Sequence, residues 1–243
     1  MSISKEKITH IYLAALFILS AAICVAAQNN GAGKQNTRDE TAAPAAEAKE
    51  VRAAATSYSY EFKQPDFTTR HILIEHDESG RGHVTFERKG SEEAITEPLE
   101  LSAAALLRIT DLWDALRFLD SETDYQADRQ YPNMGTVRLR MARGTQERAA
   151  SFNWTLNRDA SALANEYRRA ADQAIFVFDI TVARENRPLD APKLMDNLDL
   201  LLSRNGLSDP QQLVVLLRDL TVDERIPLIA RNHAARLLKK IEK

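Results

Sequence analysis

The chain has 243 residues, a formal net charge of −3 and one cysteine, with 44% hydrophobic and 28% charged residues. So small an imbalance supplies no field that would gather nucleic acid or hold an anionic membrane surface. The cysteine is Cys24, so everything after it is without disulfides, thiolate nucleophiles or Cys-ligated zinc.

The opening "MSISKEKITHIYLAALFILSAAICVAAQ" sets Lys5 and Lys7 before an apolar run that closes on small residues. That layout fits a signal peptide over residues 1–27, cleaved after Val25-x-Ala27. It also fits an uncleaved anchor over residues 8–27, because the run is just long enough to span a bilayer. Both readings put the rest of the chain outside the cytoplasm, periplasmic or extracellular, with a membrane contact only through that segment. Ile23 is too bulky for lipoprotein processing at Cys24. From Gln28 to about residue 56 the only large apolar side chain is Val51, so this stretch reads as a disordered low-complexity tether.

From residue 57 the pattern changes. "TTRHILIEH" and "HVTFERK" flank the turn "DESGRG", and "TVRLRMA" and "ERAASFNW" flank "RGTQ". Both pairs read as β-hairpins with one wet face. "YSYEFKQ" and "AITEPLEL" are candidates for further strands. Between the hairpins, "LSAAALLRITDLWDALRFLD" carries an N-cap at Ser102 and an apolar stripe of Leu106, Ile109, Trp113 and Leu116, which predicts a helix. A second helix is expected from about Asp159 to 186, with Leu163, Tyr167, Ala170, Ala174, Phe178 and Thr181 on one face. Its middle, "AIFVFDITV", has strand-like content.

From Asp190 the chain turns leucine-rich. Pro192 opens one helix and Gly206 stops it, Ser208 and Pro210 open a second, and "TVDE" with Pro227 opens a third. The fold class expected is α+β: an antiparallel sheet of two hairpins with packed helices over residues 57–186, plus a small C-terminal helical bundle over 187–243.

The layout strand, strand, optional strand, helix, strand, strand, helix is carried by "HILIEHDESGRGHVTFER", "LSAAALLRITDLWDALRFLD" and "GTVRLRMARGTQERAASFNW". It resembles an uncharacterised domain of exported bacterial proteins. Related domains carry a cysteine motif in the first strand, which this chain lacks, so no role tied to those cysteines carries over.

Three of the five histidines fall in residues 71–88. His71 and His76 are an odd number apart on one strand and must face opposite ways. His76 and His83 could face each other across the turn with Asp77 beside them, but zinc wants three or four converging ligands, and no metal centre is expected. The loop 120–135 has acids at 120, 122 and 124, yet Tyr125 and Tyr131 stand where a calcium loop needs glycine and glutamate. Its tyrosines suit a recognition loop. Arg138 and Arg140 should project from the wet face of the second hairpin, where an anionic glycan or an acidic envelope protein could meet them. Tyr125, Tyr131, Arg138 and Arg140 are therefore the partner-binding candidates. No nucleophile, zinc-protease or phosphate-loop motif is present, so no catalytic residue or cofactor site is assigned. The residues fit an exported binding or structural module of the cell envelope. The alternative is an envelope hydrolase whose histidines and carboxylates converge only in the fold.

Overall fold

The computed structural model describes residues 55–243; the signal or anchor and the tether up to residue 54 lie outside the described residues. Four strands come first: β1 (Thr56–Lys63), β2 (Thr69–Asp77), β3 (Arg81–Arg88) and β4 (Ala94–Glu100). After α1 (Ala103–Leu116) come β5 (Thr136–Arg143) and β6 (Gln146–Phe152), then α2 (Arg158–Asn186). The chain ends in α3 (Ala191–Ser203), α4 (Val214–Val222) and α5 (Leu228–Ile241). Both candidate strands are real. The tether yields to β1 already at Thr56, which is buried.

All six strands form one antiparallel sheet in the order β4-β3-β2-β1-β5-β6. The first strand in sequence thus joins the two hairpins at the middle of the sheet. Alternation decides what each face carries. Tyr58, Tyr60, Phe62, Ile72, Ile74, Val84, Phe86, Leu139 and Met141 all point to one side and are buried there. The helices α1 and α2 cover that side. Ser102 caps α1 by accepting from the Ala105 amide (3.2 Å), and Ile109, Trp113 and Leu116 face the sheet. Each such large side chain contributes about 1.5–3 kcal/mol on burial.

The second helix is unbroken despite its strand-like middle, because it serves two cores at once. Ala160, Leu163, Tyr167 and Ala170 pack on the sheet, whereas Phe176 and Ile180 pack against α3–α5. Burial on a second partner outweighs the local β preference. The buried stripe consequently rotates along the helix. Thr181, expected on the buried face, is exposed, and Phe176 and Ile180 take that role.

The C-terminal helices share a core of Met195, Leu198, Leu213, Leu217, Leu220, Ala230, Ala234 and Leu237. Polar ties fix them to the rest of the described unit. Arg108 of α1 donates to the Ser208 carbonyl (2.6 Å), and Gln212 donates to the Glu100 carbonyl at the end of β4 (3.2 Å). Arg184 of α2 pairs with Asp223 (2.7 Å). Two expected starts are corrected. Asp209, not Ser208, caps the turn before α4, through the Gln211 amide (3.0 Å). No capping box forms at "TVDE", because α4 runs on through Val222 and Asp223 is instead held by Arg225 and Arg184.

Candidate functional site on the open face of the sheet

No helix among the described residues covers the second face of the sheet, which carries the other half of each strand's alternation. Cross-strand register places these residues in rows. One row runs Pro98, His83, Glu75, Ser59, Arg140, Ala149 from β4 to β6. The next runs Thr96, Thr85, Leu73, Glu61, Arg138, Ser151. The face is therefore hydroxyl- and charge-bearing, with Leu73 as its one large aliphatic side chain in these rows. In these two rows the acids stand on β1 and β2 and the arginines on β5.

A shallow depression of about 320 Å³ opens here, lined by Ser57, Ser59, Glu75, Arg81, His83 and Arg140. Gly82 shapes it: a Cβ there would sit 1.8 Å from the Glu75 carbonyl oxygen, so no other residue lets β3 approach β2 this closely. Arg140 donates through Nε to Glu147 (2.7 Å), and that hydrogen bond holds the Glu147 carboxyl below its ordinary value. Arg138, between Glu61 and Ser151 in its row, makes no ion pair among the described residues.

Beside the depression His71 lies between two carboxylates. Its Nε2 is 3.0 Å from Glu61 and its Nδ1 3.0 Å from Glu87. Partial burial works to raise the Glu61 carboxyl, but hydrogen bonds from Lys63 and His71 outweigh it and lower it. Glu87 is lowered first by its bond from His71 and then by Arg70. The cluster ties β1, β2 and β3 together across the open face.

His76, on the opposite face, belongs to the core. Its Nδ1–H donates to the Asp77 carbonyl (2.8 Å), and its Nε2 accepts from the Tyr167 hydroxyl (2.8 Å). That hydroxyl in turn accepts from Trp113 Nε1 (2.9 Å). The chain of bonds satisfies every member and fixes one His76 tautomer. Burial holds His76 below its ordinary titration range and lifts the Tyr167 hydroxyl far above its own.

The expected facing of His76 and His83 across the turn is thereby corrected. His83 lies opposite Glu75 and His76 opposite Gly82, so the turn is one residue too short for a facing pair and the two rings fall on opposite faces of the sheet. Asp77 is spent on that turn: its Oδ1 accepts from the amides of Ser79 (2.8 Å) and Arg81 (3.1 Å). Opposite orientations for His71 and His76 hold. Among the described residues no three His, Cys, Asp or Glu side chains converge as a metal site.

The four partner candidates separate. Arg138 and Arg140 stand together on the open face. Tyr131 lies beyond the end of β6, its ring 5.4 Å from Trp154 and under Arg129. Tyr125 is a correction: at 3% exposure it is core, stacked on Phe118, with the Arg148 guanidinium over both rings. Arg148 also donates to the Phe118 and Thr123 carbonyls (2.8 and 2.6 Å), which folds the loop under the sheet and takes its tyrosine with it. Ser57, Ser59 and Glu75 join the site without a sequence motif to mark them. Their signal was the polar alternation of "TSYSYEFK", readable only once β1 is known to be central.

The fold defines an α+β protein built on an open-faced antiparallel sheet. Neither a family model nor a curated protein sequence matches the chain.

Proposed function

We propose that the protein is an exported binding module of the cell envelope and that its open sheet face takes an anionic glycan. The observation that carries this reading is the depression at Ser59, Glu75, His83 and Arg140, with Arg138 beside it. Arginine guanidinium presents paired donors to a carboxylate or sulfate. Serine hydroxyls, His83 and Glu75 supply the donors and acceptors that sugar hydroxyls need. A face so poor in exposed apolar side chains favours a hydrated saccharide over a protein surface, whose binding centres on buried aromatic and aliphatic anchors.

The hydrolase alternative draws less support from the same geometry. Ser59, Glu75 and His83 are neighbours, but Glu75 stands between the other two, and no hydrogen bond joins any pair of them among the described residues. An activated serine needs its histidine within hydrogen-bond reach.

Titration calorimetry with a polyuronate at low and high salt tests the proposal. Binding should weaken with salt and fall by about tenfold or more in the Arg138→Glu, Arg140→Glu double variant. Absent binding, or binding that the double variant leaves unchanged, would overturn it.

A further inference from the structure

The sheet has two edges, β4 and β6, and only one is defended. On β4, Pro98 removes an outward amide in mid-strand, and Gln212 occupies the Glu100 carbonyl. Proline and side-chain cover are the usual protections against strand addition. On β6 neither occurs. Its register with β5 is regular from Gln146 to Phe152, without bulge or proline. The side chains at its centre, Ala149, Ala150 and Ser151, are the smallest run in the sheet.

The hairpin geometry says which backbone groups are free. Arg143 and Gln146 flank the two-residue turn Gly144–Thr145, where Gly144 takes φ +59. The flanking pair is hydrogen-bonded and bonded pairs alternate, so the amides and carbonyls of Glu147, Ala149 and Ser151 point outward. None of them has a hydrogen-bond partner among the described residues. Cover begins only beyond the strand, where Gln126 accepts from the Asn153 amide (2.9 Å) and Ala127 donates to the Trp154 carbonyl (2.9 Å).

We propose that β6 pairs antiparallel with β6 of a second copy of this chain, centred on Ala149, joining two sheets into one. Glu147 then faces Ser151 of the second copy, Ala149 faces itself, and roughly six inter-chain hydrogen bonds form. The charges select this register. Centring on Glu147 would oppose two carboxylates, and centring on Arg148 would oppose two guanidinium groups. Centring on Ala150 or Ser151 would draw on the Asn153 amide, which Gln126 already holds. In the Ala149 register no like charges are opposed. Arg138, otherwise without an ion pair among the described residues, comes into one row with Glu147 of the second copy across the small Ser151. Two strand spacings, about 10 Å, separate their Cα atoms, within reach of the two long side chains. The strand pairing does not rest on the glycan reading, and Ala149→Pro, which leaves Arg138 and Arg140 in place, separates the two.

Sedimentation of the full chain tests it, with Ala149→Pro as the main variant. That proline removes one outward amide and suits an edge strand, so circular dichroism and Tm should stay as in the parent. The parent should dimerise reversibly, and the variant's dimer Kd should rise by about tenfold or more. Arg138→Glu and Glu147→Arg should each weaken the dimer, and the two together should restore it. In a Cys24→Ser background, Ala149→Cys should cross-link on oxidation, because a bonded antiparallel pair holds its Cα atoms about 5.5 Å apart, inside disulfide range. Ser151→Cys alone should not cross-link, whereas mixed with Glu147→Cys it should. A parent that stays monomeric to about 1 mM, or a dimer that Ala149→Pro leaves intact or that cross-links best at another position, would overturn the proposal.

Discussion

The two faces of the sheet are made from the same strands, residue by residue, yet they treat the same side chains in opposite ways. On the covered face His76 is locked into a closed line of hydrogen bonds with Tyr167 and Trp113. One residue past its cross-strand neighbour, on the open face, His83 is exposed to solvent. The lesson is that residue type carried little functional information here, and the parity of the strand carried most of it. A buried polar group must be fully paired, so it is spent on the fold. An exposed one is left over for a ligand.

Adjacent positions on β2 should break this contrast most sharply. Ile74→Ala, fully buried, should cost about 2–5 kcal/mol in urea unfolding. Leu73→Ala, one residue away on the open face, should cost well under that, about 1 kcal/mol or less.

Tyr167→Phe comes next. Losing the hydroxyl leaves Trp113 Nε1 and His76 Nε2 buried without their partner, at a cost of about 1–3 kcal/mol. His83→Ala should change stability by no more than about 0.5 kcal/mol. An equal loss in both would mean that the open-face histidine is also structural.

The smallest effect is in the pH dependence, which separates the faces by window. His76 titrates below its ordinary value of 6.5 when folded, so the unfolded chain binds the proton more readily. Its contribution is complete above pH 6.5 and is lost as pH falls below it. Glu61 and Glu87 on the open face are lowered from 4.5, so their contribution persists through that window and fades only below about pH 4.5. In unfolding midpoints measured from pH 8 down to about pH 2, His76→Gln should flatten the upper step and leave the lower one. A single step below pH 4.5, unaltered by the variant, would show that His76 is not held neutral by its burial.

The sequence disclosed the fold further than the site. Hairpins, the Ser102 cap and the stripe of Ile109 and Trp113 are local patterns, and they are present. The single helix through "AIFVFDITV" is ambiguous in the sequence, because what settles it is packing against the C-terminal helices, which begin only at Ala191. Tyr125 misled for a related reason: its burial depends on Arg148 reaching back over the loop, and no spacing rule encodes that. The depression was hidden because Ser59, Glu75, His83 and Arg140 come from four strands and meet only through register.

Backbone amide shifts mapped by NMR, as a short oligouronate is titrated in, decide whether the open face is the working surface. Shifts should concentrate at Ser57–Glu61, Glu75, His83 and Arg138–Arg140 and leave the Tyr167 stretch of α2 silent. Shifts gathered instead in the groove between β4 and α2, around Pro98, Val177 and Phe178, would contradict it.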